Sequence, residues 1–129
     1  MDLPQLNLVA GWLGMAAGVI SGATSGLFFH REQWLGGYGS FRRRMVRLAH
    51  ISCFGLGFVN LLFAFSVGAA KAPLPPIPLA SGAFVVGLVT MPVCCYLTAW
   101  RKSFRHFFPV PVLSVFLGIV VLLRAWVIP

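Results

Sequence analysis

Four long apolar stretches alternate with short polar ones along the chain. They cover residues 6–29, 48–70, 79–100 and 107–127. Each is near the ~20 residues that a helix needs to cross a hydrocarbon layer about 30 Å thick. Each exceeds an ordinary strand in length, and none alternates apolar and polar at every second position. An open sheet in lipid is excluded as well, because its edge N–H and C=O groups would go unpaired. The pattern therefore predicts an all-α fold, an integral membrane four-helix bundle. No internal repeat or long linker divides the chain, so the bundle is one domain, 1–129.

The polar stretches carry nearly all the charge. Arg31, Arg42, Arg43, Arg44 and Arg47 lie between the first and second spans, and Arg101, Lys102 and Arg105 lie between the third and fourth. Only Lys71 and Arg124 fall elsewhere. Cytoplasmic loops of membrane proteins hold the excess of Lys and Arg. Both termini are then expected on the non-cytoplasmic side, with a bacterial inner membrane as the setting. Arg42, Arg43, Arg44, Arg47, Arg101, Lys102 and Arg105 are expected to meet lipid head groups, at about 1 kcal/mol each.

Composition agrees. The chain is 59% hydrophobic and 9% charged, against roughly 25% charged for soluble domains. The net charge of +8 would suggest nucleic acid in a polar protein. Here the cations flank apolar runs, so no nucleic-acid partner is expected. The N-terminus lacks a basic leader, so the first run is expected to persist as a helix.

Local signals refine the elements. Ser40 is placed to cap a helix beginning at Phe41. Pro92 lies inside the third span, where it removes a backbone hydrogen bond. Pro109 and Pro111 fall in the first turns of the fourth, where proline is tolerated. The segment 72–78 is proline-rich and is expected to be extended.

Gly14, Gly18, Gly22 and Gly26 recur every fourth residue in the first span. That spacing keeps them on one helix face. Lipid supplies no hydrophobic drive for helix pairing, so close backbone approach at small residues must provide it. The four glycines are expected to form a packing face against another span of the chain, a second copy or another subunit, with the first favoured.

No Asp or Glu lies within a span. Ion-coupled transporters commonly hold their ion with an intramembrane carboxylate, so a coupled antiporter is disfavoured. No nucleophile–base–orienter set is visible either, and no catalytic activity of its own is expected. Asn60 lies deep in the second span and must find hydrogen-bond partners there. Cys53, Cys94 and Cys95 read as small apolar packing residues.

His30, His50 and His106 all fall towards the arginine-rich side. They are the candidate cofactor residues: two of them on different helices would ligate a b-type haem, or His50 or a tyrosine would hold a quinone head group. No metal site is expected, because a tetrahedral set would need ligands spread over four helices.

The first expectation for function is an accessory or structural subunit packed in a larger membrane complex, with lipids and other membrane subunits or a second copy as partners. The second is a haem- or quinone-binding redox anchor, and the third a small transporter or pore.

Overall fold

The computed structural model describes residues 2–70 and 77–127. Four helices follow one another: α1 (Leu3–Gly26), α2 (Phe41–Gly68), α3 (Ile77–Trp100) and α4 (Pro109–Val127). Short 3-10 turns at Trp34–Gly36 and Lys102–Phe107 precede α2 and α4. The described residues contain no strand. The most apolar windows of the four helices have mean hydropathies of 1.5, 1.9, 1.8 and 2.3, and each helix is long enough to cross a bilayer. The chain is a small all-α membrane protein. Most of the proline-rich segment expected at 72–78 lies outside the described residues; Pro78 already belongs to α3.

Capping chemistry sets the helix starts earlier than hydropathy does. The Asp2 carboxylate accepts from the Gln5 N–H at 2.9 Å, and α1 begins at Leu3 rather than near residue 6. Ser40 Oγ accepts from the Arg43 N–H at 3.1 Å and donates to the Leu35 carbonyl at 2.7 Å. One side chain thus ties the α2 N-terminus to the preceding turn. As a result α2 starts seven residues before the apolar run at 48, and its first two turns carry the arginines. Leu35 (φ 56°), Gly36 (φ 88°) and Gly37 (φ 94°) turn the chain into this cap. Two of these three left-handed positions are glycine, which adopts them without strain.

Helices that neighbour in sequence neighbour in space: α1 lies along α2, α2 along α3 and α3 along α4. Contact between α1 and α3 is lighter, and among the described residues α4 meets neither α1 nor α2 at the backbone. Phe63, Ala80 and Phe84 form the buried apolar core, with the two rings 5.3 Å apart. Gly118 lets α4 approach this core: a Cβ there would stand 2.8 Å from the Phe84 ring. Ser114 Oγ donates to the Ala83 carbonyl at 2.7 Å, a second tie between α4 and α3.

A buried amide network joins the other three helices. Asn7 and Asn60 are both 0% exposed. Asn7 Nδ2 donates to Asn60 Oδ1 at 2.7 Å and to the Ser81 carbonyl at 3.3 Å. Ser81 Oγ donates to Asn7 Oδ1. Asn60 Nδ2 donates to the carbonyls of Leu56 (2.9 Å) and Phe84 (3.2 Å). Each amide carries two donor hydrogens and one oxygen, and all are used. Interhelical hydrogen bonds in membranes average about 0.6 kcal/mol and reach ~1.7, whereas an unpaired polar group in hydrocarbon costs several kcal/mol.

Replacing Asn60 with Ala should therefore lower stability in detergent by about 1–2 kcal/mol, since it strands the Asn7 amide. A double-mutant cycle with Asn7→Ala, read by reversible denaturation, should show coupling; strictly additive losses would rule the network out as a unit.

Candidate functional site

The two arginine-rich connections lie at the same end of the bundle. The Lys102 ammonium, after α3, sits 5.4 Å from the centre of the Phe41 ring at the start of α2. Arg42, Arg44, Arg101, Lys102 and Arg105 are exposed there, and Arg47 is half-buried with its guanidinium 4.7 Å from the Tyr38 ring centre.

Arg43 stands apart from its neighbours. It is 2% exposed, and it faces protein rather than head groups. Its guanidinium carbon lies 5.0, 5.5 and 5.1 Å from the ring centres of Phe29, Trp34 and Tyr38. One Nη donates to the Phe29 carbonyl at 3.2 Å. A guanidinium accepts this setting because it is weakly hydrated and stacks on aromatic faces. Trp34 also stacks on Phe28, with centroids 5.7 Å apart. The whole segment between α1 and α2 is thus folded around one cation.

The three histidines occupy different environments. His30 is exposed in the turn after α1, and His106 is exposed in the turn before α4. His50 is half-buried between α1 and α2. Its Nδ1 lies 2.9 Å from the Gly18 carbonyl and 3.2 Å from Ser21 Oγ, and its ring meets Phe54 edge-on at 5.2 Å. A carbonyl only accepts, so Nδ1 carries a proton, and in the neutral ring Nε2 holds the free lone pair. No group of three or more His, Cys, Asp or Glu is placed to hold a metal ion among the described residues. Cys53, Cys94 and Cys95 are free and buried in the helix contacts.

Four of the glycines on α1 stand against named groups. A Cβ on Gly11 would stand 2.9 Å from the Gly57 carbonyl oxygen of α2 and 2.7 Å from Leu61 Cγ. On Gly14 it would meet Leu88 of α3 at 2.8 Å, and on Gly18 the Phe54 ring at 2.7 Å. On Gly22 it would fall on the His50 ring. At Gly26 nothing lies within 4 Å. Gly11 was absent from the every-fourth-residue series, yet it makes the tightest backbone approach, facing Gly57 across the α1–α2 contact.

On its other flank α1 diverges from α3 and leaves an open groove of about 720 Å³. From α1, the small residues Ala10, Gly14, Ala17, Ser21 and Thr24 line it together with the larger Leu13 and Ile20. The five small residues are spaced alternately by four and three. They run over roughly 21 Å of helix at 1.5 Å per residue. The α3 wall is larger and apolar, including Leu88, Val89 and Pro92, and it closes with Tyr96 at the arginine-rich end. Cys53 of α2 also lines the groove. Sequence periodicity by fours picked out Gly14 but passed over this mixed small-residue stripe.

No protein-family model, characterised protein or solved structure shows significant similarity to the chain.

Gly11→Ala should destabilise the protein by roughly 1–3 kcal/mol, because its methyl meets a backbone oxygen that cannot rotate away. Gly55→Ala places its methyl in open space and should be neutral or stabilising by up to about 1 kcal/mol. Thermal midpoints in one detergent compare the two; equal losses would show that α1 and α2 do not approach so closely.

Proposed function

We propose that the protein is an accessory subunit of a larger membrane complex in a bacterial inner membrane, with both arginine-rich connections on the cytoplasmic side. One observation carries the proposal: the open α1–α3 groove, whose α1 wall carries a stripe of small residues alongside Leu13 and Ile20. Small side chains at membrane depth permit a second helix to approach closely, and such approach is the main source of helix association in lipid. The groove is long enough to take about four turns of a partner helix. The amides of Asn7 and Asn60 and the Ser81 hydroxyl are already paired within the chain, which leaves these three no coupling role. The described helices hold no carboxylate apart from their capping ends, which speaks against a proton-coupled transporter.

Photocrosslinking decides this. A photoreactive residue at Ala17 should give a discrete crosslink to another membrane protein in native membranes, while the same residue at Leu123, on the exposed outer side of α4, should not. Ala17→Phe should lower co-isolation of that partner about tenfold, a loss of ~1.4 kcal/mol. An active species that purifies as a lone monomer, with no crosslink at position 17, would refute the assignment.

A redox-anchor role rests on a separate feature. The carbonyl contact at His50 Nδ1 fixes the tautomer that leaves Nε2 as a ligand nitrogen, which is the usual second-sphere arrangement of a metal-bound histidine. Purified protein should then show a Soret band that His50→Ala abolishes; a colourless preparation from haem-replete cells excludes haem.

A further inference from the structure

At the arginine-rich end, a second and smaller cavity of about 370 Å³ opens between the first turns of α2, the last turn of α3 and the segment leading into α4. It is lined by Phe41, Met45, Thr98, Lys102, Arg105 and Phe108. None of these residues lines the α1–α3 groove.

One residue of the cavity wall carries a buried polar group without a partner. Thr98 is 1% exposed, and its Oγ1 is buried without a hydrogen-bond partner. A helical threonine ordinarily returns its hydroxyl to a carbonyl three or four residues back. Thr24 does so towards Ile20 and Ser21, and Thr90 towards Val86. Thr98, in the last turn of α3, does not.

The electrostatics of the cavity are one-sided. Lys102 and Arg105 both line it. The chain's two acids are remote in sequence: Asp2 caps α1, and Glu32 lies in the other connection. No ion pair is formed among the described residues, so neither cation is neutralised by protein. The α2 N-terminus, whose first residue lines the cavity, adds the positive end of its dipole. The Phe41 ring, 5.4 Å from the Lys102 ammonium, holds that cation at the cavity wall.

We propose that this cavity binds a phosphate-type anion, with Lys102 and Arg105 supplying the positive charge and Thr98 Oγ1 the buried hydrogen-bond donor. A phosphoryl group offers several acceptor oxygens, which suit a lysine, a guanidinium and a hydroxyl together. The phosphodiester of an anionic phospholipid and free inorganic phosphate share this chemistry. The apolar walls of Phe41, Met45 and Phe108 would lie against the glycerol and the upper acyl chain of the former.

The test uses delipidated full-length protein in detergent. Its thermal midpoint is followed on adding phosphatidylglycerol, phosphatidylcholine with the same acyl chains, or inorganic phosphate, and bound lipid is counted by native mass spectrometry. A rise with phosphatidylglycerol alone identifies the lipid source, and a rise with inorganic phosphate identifies the free anion. No rise with either overturns the proposal, as does an equal rise with both lipids when inorganic phosphate has no effect. Affinity should fall about tenfold or more in the double variant Lys102→Gln, Arg105→Gln. It should fall about threefold in Thr98→Val, which keeps the side-chain shape and should not lower the ligand-free midpoint. The double variant Arg42→Gln, Arg44→Gln, which removes two exposed arginines outside the cavity, should bind as the parent does. If that control loses as much as the cavity variant, or if Thr98→Val binds unchanged, the site is no more than general attraction between cations and head groups, and the proposal fails.

Discussion

Pairing of buried amides is the constraint on which the bundle depends. In water, four amphipathic helices would associate by hiding apolar faces. In lipid that drive is absent, and association must come from van der Waals contact and from polar groups with nowhere else to go. Asn7 and Asn60 are such groups, and Ser81 completes their set. One arrangement of α1, α2 and α3 satisfies all three. A shift of α1 by a single residue along its neighbours would rotate Asn7 by about 100° and break the set. The network thus fixes register as well as proximity, and the glycine contacts below it then fall into place: Gly11 on Gly57, Gly18 on Phe54, Gly22 on His50.

The same physics explains why polar groups concentrate at two levels. One is the amide network, satisfied within the chain. The other is the arginine-rich end, where cations are either stacked on rings, as Arg43 is between Phe29, Trp34 and Tyr38, or left exposed. Between these levels the helices offer small and apolar surface, including the α1–α3 groove.

The four spans were legible because hydropathy integrates over some twenty residues, and single exceptions such as Asn60 barely move it. The Ser40 cap was legible because the serine directly precedes the helical pattern after a loop with three glycines. The early start of α2 was not visible in hydropathy, since its first turns are basic and only the cap marks them. Asn7 drew no attention near a helix end, where an amide can reach water; its burial depends on Ser81, 74 positions away. Arg43 is indistinguishable in sequence from Arg42 and Arg44, and only the helical phase of α2 and the fold of the preceding turn separate them. Of the three histidines, His50 alone is drawn into the helix contacts, because it alone lies within a helix that faces α1.

The lopsided attachment of α4 has a consequence for biogenesis. Among the described residues, all its backbone neighbours in other elements belong to α3 and the turn before it, and it has no share in the amide network. The first hairpin acquires its Asn7–Asn60 bond as soon as two spans are in the bilayer, and the third span completes the set with Ser81. The fourth helix, synthesised after these three, therefore arrives at an assembled trimer of helices and adds to its flank. Synthesis interrupted before residue 109 would still leave a fully hydrogen-bonded core in the membrane, with the Phe84 side bare.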